Sequence, residues 1–466
     1  MQPFEEIKKY SKTVCEQIRW KKAHSMIAEE IENHICDQRD AYISEGEEEE
    51  TATRNAITQM GDAVTVGMEL DKTHKSKPQW VLISLTIILM LIGAGVSYLT
   101  NTFWNSPGSF HIFPFIVALA AFLITYFLDF SVLGKYPKQC YLLTLVIGML
   151  GLMLSSQING RAWFVWAGNS VSLAYLSLLF PLTYSLFIYT MRNKGARGII
   201  FCGIAYIPYA IILLLIPTAT GFVLYTLTAL ILLCAAIARG WFGVSKKLGM
   251  LFVLFPAGCA AALSCVWCVF NAYRISRISI LLHPYSDPKG YQTILIRELM
   301  SNAAFTGKGT IPQKYGENPL SMSFFGTDFA LTALTHHYGW IAFLGVVMIF
   351  TVFSILGFHY VSKQRSVLGL MVSLSILLTF VMQAAIYIID NLGYGLLSAL
   401  SLPLVSYGKA ALLINSGLIG FMLSVFRTGD IVKDGYKPYK KPGSFIVYED
   451  GKLIIDLTMR KTYKEN

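Results

Sequence analysis

Charge is scarce in this chain. Only 14% of its 466 residues are Asp, Glu, Lys or Arg, against 54% hydrophobic, and the mean hydropathy of +0.53 lies far from that of a water-soluble globular protein. The segment from Met1 onward lacks the apolar core of a cleavable secretory signal, so insertion is expected to begin at the first long apolar run, near Trp80. No internal repeat of solenoid period is present. Cysteine is equally uninformative: the long polar excursion from Asn271 to Gly339 has none, so no disulfide framework is implied there. Cys265 and Cys268 have the spacing of a metal or redox pair. They lie in an alanine-rich apolar run with no third ligand nearby and read as packing residues.

What the chain has is apolar runs long enough to cross ~30 Å of hydrocarbon. They begin near Trp80, His111, Gln139, Asn169, Arg197, Thr218, Leu248, Trp340, Val367 and Leu402. The expected fold is therefore all-α, a polytopic membrane protein of about ten transmembrane helices. Lys135 and Lys138, then Arg192, Lys194 and Arg197, then Arg239, Lys246 and Lys247, then Lys363 and Arg365 fall in alternate short loops. The positive-inside rule makes those loops and both termini cytoplasmic, and places the 271–339 loop, between spans 7 and 8, outside. The formal charge of +10 then reflects topology and contact with anionic membrane lipids, not nucleic acid.

Three regions follow. Residues 1–76 are soluble in character: Ile27, Ile31 and Ile35 recur at helical spacing, and Glu47 to Met60 reads as a second helix ending at Gly61. This small cytoplasmic module resembles the helical prefix domains found ahead of some bacterial permeases. Residues 77–427 form the membrane domain. Residues 428–466 are a basic cytoplasmic tail with Lys433, Lys437, Lys440 and Lys441, in which Ser444 to Tyr448 and Leu453 to Leu457 flank Asp450-Gly451, a β-hairpin signal.

An ordered polar loop as long as 271–339 cannot sit in hydrocarbon and is expected to carry chemistry. In order it presents Arg274, Arg277-Ile278, Pro284, Asp287-Pro288, Gly290-Tyr291-Gln292, Gly307-Lys308-Gly309 and Thr327-Asp328-Phe329, with Gly339 opening the next span. Downstream stand Gln383, Gly393, Leu402-Pro403 and Ser406-Tyr407-Gly408. Together these motifs resemble the two signatures of the SEDS family, the FtsW/RodA/SpoVE polymerases of bacterial wall synthesis. The resemblance spans about Trp80 to Arg427. It implies polymerisation of lipid II, a disaccharide-pentapeptide on undecaprenyl pyrophosphate, beside a class B penicillin-binding transpeptidase in the bacterial cytoplasmic membrane. It also places the family's essential acid on Asp328.

The reaction needs a group to take the acceptor hydroxyl's proton and positive charge or a metal to hold the departing pyrophosphate. Asp328 is the candidate for the first role. With Thr327 as N-cap, Asp328 is expected to be the first residue of the next helix, ionised by the dipole and nearby cations, though helix capping alone would also explain it. Arg277, Lys308 and Arg274 are candidates for the pyrophosphate. Ser406 and Tyr407 either hydrogen-bond substrate or pack the last span, and Gln383 makes an interhelical contact or lines a cavity. A divalent cation, Mg or Mn, is left open, with no ligand cluster evident.

The chain also departs from the family pattern. Met322 to Gly326 replace a segment with Glu and His, and His336 and His337 stand where two acids are usual. At helical spacing Asp328, Thr332 and His336 would share a face, making His336 a proton or metal partner or else an interfacial histidine. The fourth-span motif is reduced to Asn159-Gly160-Arg161-Ala162-Trp163 and Val171-Ser172-Leu173, and Lys409-Ala410 replace Gly-Ser after Ser406-Tyr407-Gly408. Two further readings stay open: a SEDS-like scaffold or regulator that has lost catalysis, and a translocator of lipid-linked precursor.

Overall fold

The computed structural model describes residues 3–74, 78–103, 112–158, 161–166, 169–270, 272–286, 288–311, 325, 327–397, 400–406, 408–429, 446–449 and 452–455. Four helices come first: α1 (Pro3–Glu16), α2 (His24–Ser44), α3 (Glu49–Met60) and α4 (Ala63–His74). They enclose a core of their own, in which Ile27, Ile31 and Ile35 of α2 meet Ile7, Val14 and Ile18 from and beyond α1. Gly61 ends α3 with φ 86°, a left-handed conformation open to glycine at no steric cost. Asp71 of α4 takes the Arg19 guanidinium and backbone N–H at 2.9 Å, closing the module.

Among the described residues ten apolar helices follow, eight long and apolar enough to cross a membrane and two shorter. In order, the spans are α5 (Trp80–Phe103); α6 (Phe113–Phe127); then, after a short α7 (Ser131–Lys135), α8 (Pro137–Met153); a 3-10 turn (Leu173–Leu178) running into α9 (Phe180–Met191); α10 (Gly195–Leu215); α11 (Ala219–Ala238); and α12 (Lys246–Phe270). The long polar loop contributes α13 (Ala272–Leu282), α14 (Tyr291–Ser301) and α15 (Ala330–Tyr338) before α16 (Trp340–Ser362), α17 (Val367–Ile389) and α18 (Lys409–Thr428) complete the spans. The loop thus lies between spans 7 and 8.

Two expectations need correction. A span was expected to start near Asn169, but three antiparallel strands, β1 (Ser156–Ile158), β2 (Arg161–Trp166) and β3 (Asn169–Ser172), precede it. Period-2 alternation and an Asn-Gly between Ile158 and Arg161, which pair directly, favour a hairpin over a helix. The last span was expected from Leu402 and begins at Lys409. Leu402 to Ser406 instead form a tight turn, closed by Leu402 N–H donating to Ser406 Oγ at 2.8 Å. In the tail, β4 (Ile446–Glu449) and β5 (Lys452–Ile455) pair as an antiparallel hairpin.

Close helix approach depends on small residues. A Cβ at Gly93 of α5 would stand 2.5 Å from the Leu404 carbonyl and 2.8 Å from that of Val405. Gly93→Leu is therefore expected to cost about 1–3 kcal/mol through overpacking, read as a lower melting temperature in detergent, with Gly95→Leu, which meets open space, as the neutral control.

Candidate active site

Asp328 is held from behind by α17 and the irregular turn that follows it, Asp390–Tyr394. Tyr387 Oη donates to the Thr327 carbonyl at 2.9 Å and accepts from Ala330 N–H at 3.1 Å. One turn on, Asn391 Nδ2 donates to the Asp328 carbonyl at 3.0 Å, while its Oδ1 accepts from Thr332 N–H at 3.0 Å. Both side chains are fully buried. The helix after Thr327-Asp328-Phe329 starts at Ala330 with Phe329 at its N-cap, so Thr327 is not the cap and Asp328 is not helical. The span 9 side chains satisfy the first-turn N–H groups that a capping residue would otherwise serve. That leaves the Asp328 carboxylate available to a cavity.

The cavity has a volume of about 400 Å³ and is walled by four connections at the same end of the bundle. Arg161 comes from β2, Tyr175 from the start of span 4, Thr218 from the turn before α11, Thr327 and Asp328 from the long loop, and Lys409 from the start of α18. An Arg161 Nη1 lies 3.8 Å from Asp328 Oδ2, with Arg161 45% and Asp328 33% exposed. Burial pushes the Asp328 carboxyl above the usual carboxylate range, and Arg161 and a hydrogen bond from Thr327 oppose that rise. The expected strongly ionised, dipole-stabilised carboxylate is thus replaced by a partly desolvated one, better suited to accept a proton. Among the described residues no group of three or more His, Cys, Asp or Glu side chains could hold a metal ion. Among the described lining residues Asp328 is the single carboxylate, with Arg161 beside it.

The FtsW/RodA/SpoVE model, described as a cell cycle protein family, matches residues 76–430. The chain belongs to this family. Similar relatives include a protein of Alteromonas naphthalenivorans named probable peptidoglycan glycosyltransferase FtsW, 27% identical over 73% of this chain and 68% of its own length. Stage V sporulation protein E of Bacillus subtilis (strain 168) is 23% identical over 76% of this chain and 98% of its own. Among solved structures, a chain from a peptidoglycan synthase complex superposes with a TM-score of 0.61, 19% identity, and coverage of 77% of this chain and 99% of that one. A point mutant of the rod shape determining protein RodA of Thermus thermophilus gives 0.51, 16% identity, and coverage of 76% and 98%.

The other motif residues of this family member are placed differently. Arg277 lies on α13, outside the cavity lining. Lys308 also stands outside it, close enough to His336 and His337 to disfavour their protonation. The Arg274 side chain, Asp287 and Tyr407 lie outside the described residues. Gln383 is buried and donates to the Ser401 carbonyl at 2.7 Å, and Ser406 closes its own turn, so both shape the backbone at the cavity's edge without lining it. His336 is fully buried, its Nε2 3.4 Å from the Thr310 carbonyl, and burial pushes its pKa down. It does not share a helical face with Asp328, because Asp328 precedes the helix.

Sequence reasoning missed Arg161, Tyr175, Tyr387 and Asn391 as site residues and treated Lys409 only as a departure. The Asn-Gly at 159–160 was the available signal for Arg161, since a hairpin there would point alternate side chains of β2 together. Two outcomes follow. Asn391→Ala strands buried partners at about 1–3 kcal/mol each, and should lower the melting temperature more than Asn302→Ala, whose side chain is exposed. Arg161→Gln removes a charge that holds the Asp328 carboxyl down, so the protonated-carboxyl infrared band should persist to higher pH than in the wild type.

Proposed function

We propose that this chain is a peptidoglycan glycosyltransferase that polymerises lipid II at the outer face of the bacterial cytoplasmic membrane. The observation that carries the reading is Asp328, a desolvated carboxylate beside Arg161 in a cavity at the loop-bearing end of the bundle. The names of its relatives support the same activity. Basic residues cluster in the loops at the opposite end, which supports an outward-facing cavity and cytoplasmic termini by the positive-inside rule. The solved peptidoglycan synthase complex, described as coordinating polymerisation and crosslinking, supports a class B penicillin-binding transpeptidase as the partner.

In the proposed step the 4-hydroxyl oxygen of the acceptor sugar bonds to the anomeric carbon of the lipid-linked donor. The bond from that carbon to the pyrophosphate oxygen breaks, and its electron pair leaves with undecaprenyl pyrophosphate. The hydroxyl proton passes to the Asp328 carboxylate. A carboxyl with raised affinity for protons is a stronger base at this step than a solvated one. The excess positive charge of the cavity favours the anion that departs.

Purified protein reconstituted with fluorescent lipid II, with and without a transpeptidase partner, tests the reading through glycan ladders. Asp328→Asn should lower the rate by roughly 10²–10⁴-fold while keeping the wild-type melting temperature. Because the base must be deprotonated and burial raises its pKa, activity should fall with decreasing pH before an ordinary carboxylate near ~3.9 would titrate. Ladders indifferent to Asp328→Asn would sink the catalytic assignment. Absence of polymer with every partner would favour a scaffold, and headgroup transfer across vesicles without polymer would favour a translocator.

A further inference from the structure

Tyr175 reaches the cavity from the 3-10 turn Leu173–Leu178 that opens span 4. Its hydroxyl lies within electrostatic reach of both Asp328 and Arg161, so the phenol, the carboxylate and the guanidinium share one part of the cavity. Tyr175 and Asp328 are not hydrogen-bonded to each other. What holds the phenol is a side-chain hydrogen bond with Ser401. Ser401 is itself buried and gripped by Gln383 of α17, whose Nε2 donates to the Ser401 carbonyl at 2.7 Å and to its Oγ at 3.3 Å. A serine oxygen that already accepts from an amide still has its hydrogen to give, so Ser401 donates to Tyr175 Oη and the phenol hydrogen is left for the cavity. The phenol also closes on the backbone of Gly408, where a Cβ would stand 3.2 Å from Tyr175 Oη. The result is a neutral donor, fixed by a relay from α17, beside a carboxylate that accepts.

An oxygen that gives its proton to Asp328 must sit about 3 Å from the carboxylate, and there it can also accept from Tyr175. A sugar hydroxyl has the matching inventory, one hydrogen to give and lone pairs to receive. We propose that Tyr175 is an acceptor-binding residue, whose O–H donates to the 4-hydroxyl oxygen of the acceptor sugar and turns that hydroxyl's hydrogen toward Asp328. This rests on the glycosyltransferase reading for the identity of the sugar. Tyr175 keeps its own proton throughout, and the hydroxyl proton passes to Asp328. Arg161 thereby acts on the base and Tyr175 on the nucleophile.

The test uses the full chain in nanodiscs and two probes, by calorimetric titration: the lipid II disaccharide without its lipid pyrophosphate, which cannot act as donor, and the same disaccharide lacking the acceptor 4-hydroxyl. Wild type should bind the first roughly tenfold more tightly, the scale of one hydrogen bond to a hydroxyl. Tyr175→Phe should bind both alike at an unchanged melting temperature. Gly408→Ala, whose Cβ displaces the phenol by a few tenths of an ångström, should narrow the gap. In the polymerisation assay Tyr175→Phe should lower kcat/KM roughly tenfold without moving the acid limb of the pH profile, whereas Arg161→Gln should move that limb upward. A preference for the 4-hydroxyl that survives Tyr175→Phe, or a wild type that binds the two disaccharides alike or binds neither, would overturn the contact. Should Tyr175→Phe fail to fold, Gly408→Ala carries the test, and a preference it leaves intact overturns the contact. If no polymer forms yet the preference depends on Tyr175, the hydroxyl contact stands and the polymerase reading falls. Polymerisation with a preference indifferent to Tyr175 gives the converse.

Discussion

The hydrogen bonds that two buried side chains, Tyr387 of α17 and Asn391 in the turn that follows it, make to the segment 327–332 fix the position of the candidate acid. Tyr387 and Asn391 lie one helical turn apart and face the same way, so they grip the backbone on both sides of Asp328. A buried amide that satisfies two partners at once is costly to replace, because any shift strands donors in a low-dielectric interior. Asn391 is also where α17 loses its regular winding: the following turn, Asp390–Tyr394, contains Gly393 at φ 81°. Arg297 of α14 donates to the Gly393 carbonyl at 2.9 Å and lies over the Tyr394 ring. The long loop is thus fastened to the same irregular turn that positions the acid.

A second fastening holds the far side of the loop. Gly309 N–H donates to the His336 carbonyl at 2.7 Å and Gly307 N–H to that of Tyr338 at 3.1 Å, while Trp340 N–H reaches the Ala304 carbonyl at 3.0 Å. The Gly307-Lys308-Gly309 motif therefore works as a backbone clasp around the junction of α15 and α16. Its glycines permit close approach: a Cβ at Gly309 would lie 2.7 Å from the Asn302 carbonyl. The lysine between them stands beside histidines, away from the acid, and the motif's role in this chain is read from its main chain.

Much of the architecture could be read from the residues in sequence. The apolar runs announced ten spans and the 271–339 interruption, because a twenty-residue apolar helix in lipid leaves little choice of structure. Thr327-Asp328-Phe329 could be singled out because a carboxylate in a long polar loop is conspicuous among apolar neighbours. Its surroundings could not. Arg161 reaches it from 167 positions upstream through a hairpin, Tyr387 and Asn391 look like ordinary polar residues near a span end, and Gln383 gives no hint that it serves Ser401. These are long-range pairings, set by how the helices pack, and no local period encodes them.

The size of the cavity carries a last consequence. At about 400 Å³ it sits near the small end of the ~300–1,000 Å³ typical of small-molecule pockets, well short of what a disaccharide bearing five amino acids would fill. On the proposed reading, the cavity takes the reacting end of the donor, and the peptide stem extends past its walls into solvent. Such a site would be blind to stem chemistry: strands with amidated, branched or truncated stems would be joined alike, and discrimination among them would fall to whatever enzyme crosslinks the product.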